Sequence, residues 1–173
     1  MTTLILTLLG PDRPGLVEAV AGPVAAHGGN WLESRMARLA GQFAGILRVE
    51  VPDGQAAALE QALARLEASG LRVVVTRATE PAAPEERRLM VLDLVGLDRP
   101  GLVREISQVL AERGVNIEEL STDRGAAAMS GELLFRSHAR VHVPAATDAA
   151  ELRARLERLA GDLMVQVTLG APE

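Results

Sequence analysis

Hydrophobic positions along this chain fall into short blocks whose spacing predicts strands. The runs TLILTLLG (3–10) and LMVLDLVG (89–96) are apolar and end at glycine, which is typical of buried strands. In QFAGILRVEV (42–51) apolar or small residues alternate with others, so one face of a strand should be buried. The preceding NWLESRMARL (30–39) should pair with it as a hairpin around Ala40-Gly41. The predicted inward positions are Phe43, Gly45, Leu47, Val49 and Val51, and in the second half Phe135, Ser137, Ala139, Val141 and Val143.

Other blocks have helical spacing. In PGLVREISQVLAERG (100–114) the apolar residues fall on one helical face, and the final glycine suits a C-terminal cap. The matching segment PGLVEAVAGPVAAHG (14–28) contains Gly22-Pro23, which should interrupt and bend the helix. A second helix is predicted in each half, and Asp148 with Glu151 should form a capping box before the later one. The leucines at helical spacing are Leu59, Leu63 and Leu66, then Leu152, Leu156 and Leu159.

The two halves of the chain are copies of one unit. A shift of 86 positions places residues 6–36 on residues 92–122 with 13 identities in 31 positions, and GPDRPGL (10–16) falls on GLDRPGL (96–102). Such a long-period repeat must be recognised before a fold is named. The predicted boundaries are 1–78 for the first domain, 79–88 for a linker rich in Pro, Ala and Glu, and 89–173 for the second domain.

The order of elements in each copy predicts the fold class. Each copy reads as strand, helix, strand, strand, helix, strand. Two right-handed β-α-β crossovers joined through a hairpin place both helices on one face of a four-stranded antiparallel sheet. The sequence therefore predicts an α+β protein of two ferredoxin-like βαββαβ domains.

Composition argues against several classes of function. The net charge is −5, cationic residues are interspersed with acidic ones, and the aromatic residues are Trp31, Phe43 and Phe135. Direct nucleic-acid binding usually needs a basic stripe, often with stacking aromatics, so it is not expected. No apolar run approaches 18 residues, and the N-terminus lacks a signal-peptide pattern. With zero Cys there is no thiol chemistry. We expect a cytoplasmic protein without membrane contact, metal or cofactor.

The repeated heptapeptide has the chemistry of a ligand-binding turn. Its first glycine ends a strand where a side chain would crowd a ligand. Its aspartate stands where a helix N-cap belongs, and its second glycine allows close backbone approach. The following N–H groups carry the positive end of the helix dipole, which suits a carboxylate. In the two copies these residues are Gly10, Asp12, Gly15 and Leu16, and Gly96, Asp98, Gly101 and Leu102.

A βαββαβ unit with DRPGL at the first strand–helix turn and Gly-x-Asn at 28–30 and 114–116 resembles the ACT domain. That family of regulatory modules binds amino acids and other small ligands. Two ACT domains with no attached enzyme resemble the glycine cleavage system transcriptional repressor family, which is understood to act through a DNA-binding activator and a small amino-acid effector. The implied ligand-binding residues are Asp12, Gly15, Leu16 and Asn30, and Asp98, Gly101, Leu102 and Asn116.

Structural roles compete with these functional ones. Helix capping alone accounts for the two aspartates, and the two asparagines could simply satisfy turns after glycine. Arg13 and Arg99 are expected to be solvated or paired with a carboxylate. His138 and His142 share a strand face and are interpreted as part of a polar surface rather than a metal site. Trp31 has Ile117 as its counterpart, so the two copies cannot form identical pockets.

We therefore interpret the chain as a non-enzymatic regulatory protein. It would sense a small amino acid, with glycine as the first candidate, and control transcription through a protein partner such as a transcriptional activator. One alternative is an interaction or oligomerisation module without a ligand. An enzyme is the less favoured alternative, because no catalytic triad or phosphate loop is evident. Homodimer formation stays open.

Overall fold

The computed structural model describes residues 1–78, 86–127 and 131–172, which form two successive sets of elements. The first set is β1 (Thr2–Pro11), α1 (Leu16–Ala26), β2 (Asn30–Leu39), β3 (Gln42–Val51), α2 (Ala56–Ala64) and β4 (Arg72–Arg77), with short 3₁₀ turns at Asp53–Gln55 and Arg65–Ser69. The second set is β5 (Arg87–Leu97), α3 (Leu102–Glu112), β6 (Asn116–Ala126), β7 (Leu133–Pro144), α4 (Ala149–Leu163) and β8 (Val165–Gly170).

Each set folds into a four-stranded antiparallel sheet. The strand order is β2-β3-β1-β4 in the first copy and β6-β7-β5-β8 in the second. The central pair in each sheet joins the first strand of the copy to its third. This order, with two helices packed on the sheet, confirms the predicted ferredoxin-like βαββαβ fold.

The chain divides into two compact units between positions 81 and 82. Most of the predicted linker, residues 79–85, lies outside the described residues, and strand β5 begins at Arg87, before the predicted end of the linker. The domain bounds 1–78 and 89–173 stay a prediction at this level of detail. Positions 128–130 of the second half also lie outside the described residues.

The predicted inward faces of the hairpin strands are the buried ones. Leu47, Val49 and Val51 of β3 are at most 1% exposed, and they pack with leucines of β1 and both helices of the unit. In β7 Ala139 and Val141 are at most 2% exposed. Burial follows the alternation because successive side chains of a strand point to opposite faces. The second core is built from Met90, Leu92, Leu94, Leu102, Ile106, Val109, Leu110, Val115, Ala139, Val141, Val143, Leu152, Leu156, Ala160, Leu163, Val165 and Leu169.

The predicted interruption of α1 at Gly22-Pro23 is wrong. Helix α1 runs through Pro23 to Ala26 and has the same bounds as α3 after the shift of 86 positions. Proline removes one N–H donor from the helix. The last turn is tied down by His27, whose backbone N–H lies 3.2 Å and whose Nδ1 lies 2.7 Å from the Pro23 carbonyl oxygen.

Two of the predicted helix-end residues, Gly114 and Asp148, cap their helices in the structure. Gly114 has a φ of 66° and its N–H donates to the Ala111 carbonyl at 3.0 Å, which confirms the predicted C-terminal cap. Asp148 caps α4, since its Oδ1 accepts from the Ala150 N–H at 2.8 Å. The reciprocal half of the capping box is absent, because the Glu151 carboxylate pairs with Arg113 instead.

Candidate ligand site

The turn between β1 and α1 does not use Asp12 as a helix cap, so that prediction is wrong. The helix begins at Leu16 after Gly15, which adopts a left-handed conformation with φ 89° and supplies no side-chain cap. Asp12 stands three residues before the N-cap position Gly15. Its backbone N–H donates to the Gly41 carbonyl at 2.9 Å, and its Oδ2 lies 2.7 Å from the Arg38 Nε. The carboxylate therefore ties the turn to the β2–β3 hairpin.

The second copy repeats this arrangement, and its capping prediction is wrong in the same way. Gly101 has φ 94° at the start of α3, again without a side-chain cap. Asp98 donates its backbone N–H to the Leu133 carbonyl at 2.9 Å, and its Oδ2 accepts from the Arg124 Nη1 at 3.1 Å. Both aspartates are thus anchored by an arginine of the edge strand.

Those two arginines were missed by the sequence analysis. Arg38 and Arg124 are separated by 86 positions, the same shift that relates Asp12 to Asp98. A comparison extended beyond residue 36 would have found this identity. Each Asp–Arg pair is partly exposed and is worth about 1 kcal/mol or less to stability. Its main effect is to hold one carboxylate in a defined orientation beside the turn.

The glycines one residue before the ends of β1 and β5 are required by packing within the protein itself, and crowding of a ligand at these positions stays a prediction. A Cβ placed on Gly10 would lie 2.6 Å from the Gly70 carbonyl oxygen, and one on Gly96 would lie 2.2 Å from Val165 Cγ1. In both copies the crowding comes from the segment that leads into the last strand. Gly15 differs, because a Cβ there meets no atom within 4 Å. Its positive φ is the reason for glycine at that position.

Asn30 and Asn116 lie at the opposite end of the sheet from the aspartates of their own copy. Asn30 opens β2 and stands opposite Glu50 of β3, whereas Pro11, next to Asp12, stands opposite Gln42. A strand rises about 3.3 Å per residue, so positions 42 and 50 are separated by about 26 Å. A small amino acid cannot bridge that distance. One copy by itself therefore does not bring Asp12 and Asn30 into one pocket.

The same separation holds in the second copy. Asn116 stands opposite His142, while Leu97, next to Asp98, stands opposite Leu134. The environments of the two asparagines also differ. His142 Nε2 lies 3.4 Å from the Glu118 carboxylate, and Glu118 has Leu32 as its counterpart in the first copy.

The other predicted contacts lie close to the turns. Leu16 and Leu102 are buried in their cores at 4% and 2% exposure, so their backbone N–H groups, and not their side chains, are the groups that face the turn. Arg13 donates from Nη2 to the Ser69 carbonyl at 2.9 Å. Arg99 pairs with the Glu105 carboxylate, which confirms the predicted pairing for the second arginine.

The histidines of β7 form part of a polar sheet face, as predicted. His138 Nδ1 lies 2.7 Å from Asp93 Oδ1, and both side chains are at least half exposed. Ser121 stands opposite His138 in the strand register. Within residues 86–127 and 131–172, no hydrogen bond joins that hydroxyl to the imidazole. The described residues also contain no group of three or more His, Cys, Asp or Glu side chains suited to a metal ion.

In the described part of the chain, Asp53 is the group with a shifted pKa, and it lies away from the turns. Asp53 accepts a hydrogen bond from Thr2 Oγ1 at 2.7 Å, and the N-terminal ammonium lies 3.2 Å from its carboxylate. The Thr2 hydrogen bond is the main cause that lowers the pKa of Asp53 below its ordinary value of 3.8, and the ammonium group adds to it.

Among the helices of the described ranges, none is long and apolar enough to cross a membrane.

Models of the ACT domain match residues 2–76 and residues 90–161. The chain belongs to the ACT domain family. The first match covers nearly the whole first βαββαβ unit, and the second runs from β5 into α4, so the predicted recognition is confirmed. Each ACT domain begins with the strand, turn and helix that carry the repeated heptapeptide.

Several known proteins resemble this pair of ACT domains. An unknown protein from Galdieria sulphuraria, solved by crystallography, is 31% identical over 99% of each chain with a TM-score of 0.83. The glycine cleavage system transcriptional repressor of Escherichia coli (strain K12) is 26% identical over 94% of this chain and 86% of that protein. The crystal structure of a candidate glycine cleavage system transcriptional repressor covers 98% of this chain and 96% of its own with a TM-score of 0.69. The two proteins are 23% identical, and their structural likeness shows a common fold only.

Proposed function

We propose that this chain is a non-enzymatic regulatory protein that senses a small amino acid and controls transcription through a protein partner. The observation that carries the proposal is the similarity to the Escherichia coli repressor across 94% of this chain, through both ACT domains. Glycine is the first effector to test. A DNA-binding transcriptional activator is the partner class that this similarity favours.

The ligand would meet the turns through complementary charge. The proposed contacts at the turns are Asp12, Gly15 and Leu16 in the first copy and Asp98, Gly101 and Leu102 in the second. Asn30 and Asn116 would contact a ligand only at the opposite end of each sheet. At the first turn the ammonium of an amino acid would approach the Asp12 carboxylate, which already faces Arg38 Nε at 2.7 Å. The ligand ammonium and Arg38 would then share or compete for one carboxylate. Because Arg38 belongs to the edge strand, this competition would couple ligand binding to the β2–β3 hairpin.

The polar face of the second sheet does not favour catalysis. The His138–Asp93 pair is exposed to solvent, and Ser121 is not hydrogen-bonded to it in the described part of the chain. An activated nucleophile needs contact with its base, and a catalytic site usually excludes water around the reacting atoms. We infer a regulatory rather than enzymatic role.

One observation favours the alternative of an interaction module without a ligand. The open face of the first sheet carries large apolar side chains that are about half exposed: Leu9, Ile46 and Val74. They lie on the side opposite the helices, because their strand neighbours Leu8, Leu47 and Val73 point toward the core. Such a surface is typical of protein contact, which is the role that an interaction module would have.

Titration calorimetry of the full chain with each of the twenty amino acids tests the sensor proposal. A saturable heat with at least one of them is expected. Silence across the whole set would refute amino-acid sensing and favour the interaction module.

A mobility-shift assay with promoter DNA tests the mode of action, since the chain alone should not retard DNA and should alter the shift produced by an activator.

A further inference from the structure

The first turns of α1 and α3 have the same backbone but different surroundings. Gly15 and Gly101 both adopt left-handed conformations, with φ 89° and 94°. The Ala19 N–H donates to the Gly15 carbonyl at 2.9 Å, and the Glu105 N–H donates to the Gly101 carbonyl at 3.0 Å. The residue four positions after the turn glycine is therefore Ala19 in the first copy and Glu105 in the second.

Glu105 reaches back to the start of its own helix. Helical side chains tilt toward the N-terminus, so a long side chain at this position covers the preceding turn. Its Oε1 lies 3.4 Å from the point where a Cβ of Gly101 would be. Arg99 Nη2 donates to both carboxylate oxygens, at 3.1 and 3.0 Å. The carboxylate is thus held beside the helix start by a residue of the DRPGL turn itself.

The first copy has no equivalent carboxylate at its turn among the described residues. A Cβ on Gly15 would meet nothing within 4 Å, and Arg13 is engaged with the Ser69 carbonyl instead. Glu18 is acidic and lies in the first turn of α1. Its Oε1, however, lies 3.9 Å from where a Cβ of Gly22 would be, which is one turn further along the helix. The space beside Gly15 is therefore open to a ligand group.

We propose that Glu105, held by Arg99, occupies in the second copy the place that a ligand carboxylate takes in the first, so that effector binds the first turn and not the second. This inference rests on the proposed function. The positive end of a helix dipole stabilises one nearby carboxylate, and a second one would meet the like charge of the first. Glu105 is thereby a specificity-determining residue that limits the chain to one effector at these turns.

Two substitutions exchange alanine and glutamate between the corresponding positions 19 and 105. Glu105→Ala removes the internal carboxylate and should open the second turn, whereas Ala19→Glu installs a carboxylate beside Gly15 and should close the first. Glu112→Ala is the matched control, because it removes an acidic side chain from the far end of the same helix α3. All four proteins, wild type included, are titrated as full chains with the twenty amino acids, glycine first.

Amide NMR spectra report which turn responds, and calorimetry reports the stoichiometry. In the wild type and in Glu112→Ala, the Leu16 and Val17 signals should shift at one ligand per chain, and the Leu102 and Val103 signals should not. In Glu105→Ala both sets should shift at two ligands per chain. In Ala19→Glu the affinity of the first turn should fall at least tenfold.

Other results would overturn the inference. If wild type binds at both turns, or if Glu105→Ala binds only at the first, Glu105 does not close the second turn. If Ala19→Glu leaves the first turn's affinity unchanged, a carboxylate at this position is not a barrier. If no amino acid shifts any signal in any of the proteins, the proposed function itself fails and the inference fails with it.

Discussion

Trp31 and Met36 pack against the core of the first copy, whereas Ile117 and Thr122 stand at the corresponding positions of the second. Met36 lies directly over Gly45, since a Cβ there would be 2.6 Å from Met36 Cγ. Strand β7 is related to β3 by a shift of 92 positions, because the second copy is longer between its hairpin strands, and it has Ser137 in place of this glycine. The second copy has a small cavity of about 30 Å³ between α3 and the edge strand.

The backbone, in contrast, is nearly unchanged between the copies. Helices α1 and α3 have bounds related by the same shift of 86 positions. Each first strand has a glycine as its penultimate residue, packed against the segment that enters the last strand. Duplication has thus preserved the residues that shape the chain. The residues that set packing and charge around the turns have diverged, so the two copies can differ in function on one scaffold.

The largest expected effect tests the shared backbone. Gly96→Ala would place a methyl group against Val165. The new Cβ would lie only 2.7 Å from the Val165 Cα, so the backbone must shift. We expect a loss of about 3 kcal/mol in the free energy of unfolding, measured by urea denaturation of the full chain. Gly161→Ala is the control, because that helical position is open and alanine is the better helix former. Equal urea midpoints for the two variants would contradict the assigned role of Gly96.

The next effect tests the difference in ligand binding. Asp12→Ala removes the carboxylate proposed to hold the ligand ammonium, and should weaken amino-acid binding by about 1.5–3 kcal/mol, roughly 10- to 150-fold. Asp98→Ala is the matched control and should leave the affinity nearly unchanged. Calorimetry of both variants with the amino acid that binds wild type provides the measurement. A larger loss for Asp98→Ala would reverse the assignment of the two copies.

A smaller effect concerns packing in the first copy. Met36→Thr introduces the residue found at the same position of the second copy and uncovers Gly45. Because Met36 is half-buried, we expect a cost of about 1 kcal/mol in the free energy of unfolding. Ile46→Thr, on the open sheet face, should cost less. If Ile46→Thr were the more destabilising change, the open face would contribute more to stability than its exposure suggests.

The smallest effect is a pH dependence present in one copy. The pKa of Asp53 is lowered below 3.8 by the Thr2 hydroxyl and the N-terminal ammonium. Ala145 stands at this position in the second copy, at the shift of 92 positions that relates β7 to β3. A lowered folded-state pKa adds stability above the unfolded value, and this contribution is lost as the pH falls through the folded one. The difference in urea midpoint between wild type and Asp53→Asn should therefore be present at pH 7 and shrink below about pH 3.8. A constant difference down to pH 2 would exclude this linkage.

The fold could be predicted because its signals are local and repeated. Alternation in β3 marked the buried positions Leu47, Val49 and Val51, and the glycine at position 114 marked the end of α3. The predicted helix interruption at Pro23 was wrong, because a proline near a helix end costs one hydrogen bond and contacts of the neighbouring turn can compensate. Local rules describe the average residue, and tertiary context decides the exceptions.

The candidate site was predicted less completely. The sequence pointed to the DRPGL turns but assigned Asp12 and Asp98 to helix caps. Whether a carboxylate reaches forward to helix N–H groups or sideways to an arginine depends on the backbone conformation of the residues between, here a glycine with positive φ. The role of Glu105 was also missed, because a single glutamate in a helix carries no signal until its distance to Gly101 is known.

The amino-acid sequence alone determined the duplication, the order of strands and helices, and the turns at which ligand chemistry is concentrated, because each depends on residues close together in the chain. Tertiary structure decided the rest. Strand register placed Asn30 about 26 Å from the Asp12 turn of its own copy, and the approach of the last strand explained Gly10 and Gly96. These features depend on contacts between segments that are distant in the sequence. Such contacts are formed only when the strands pair and the sheet packs against its helices.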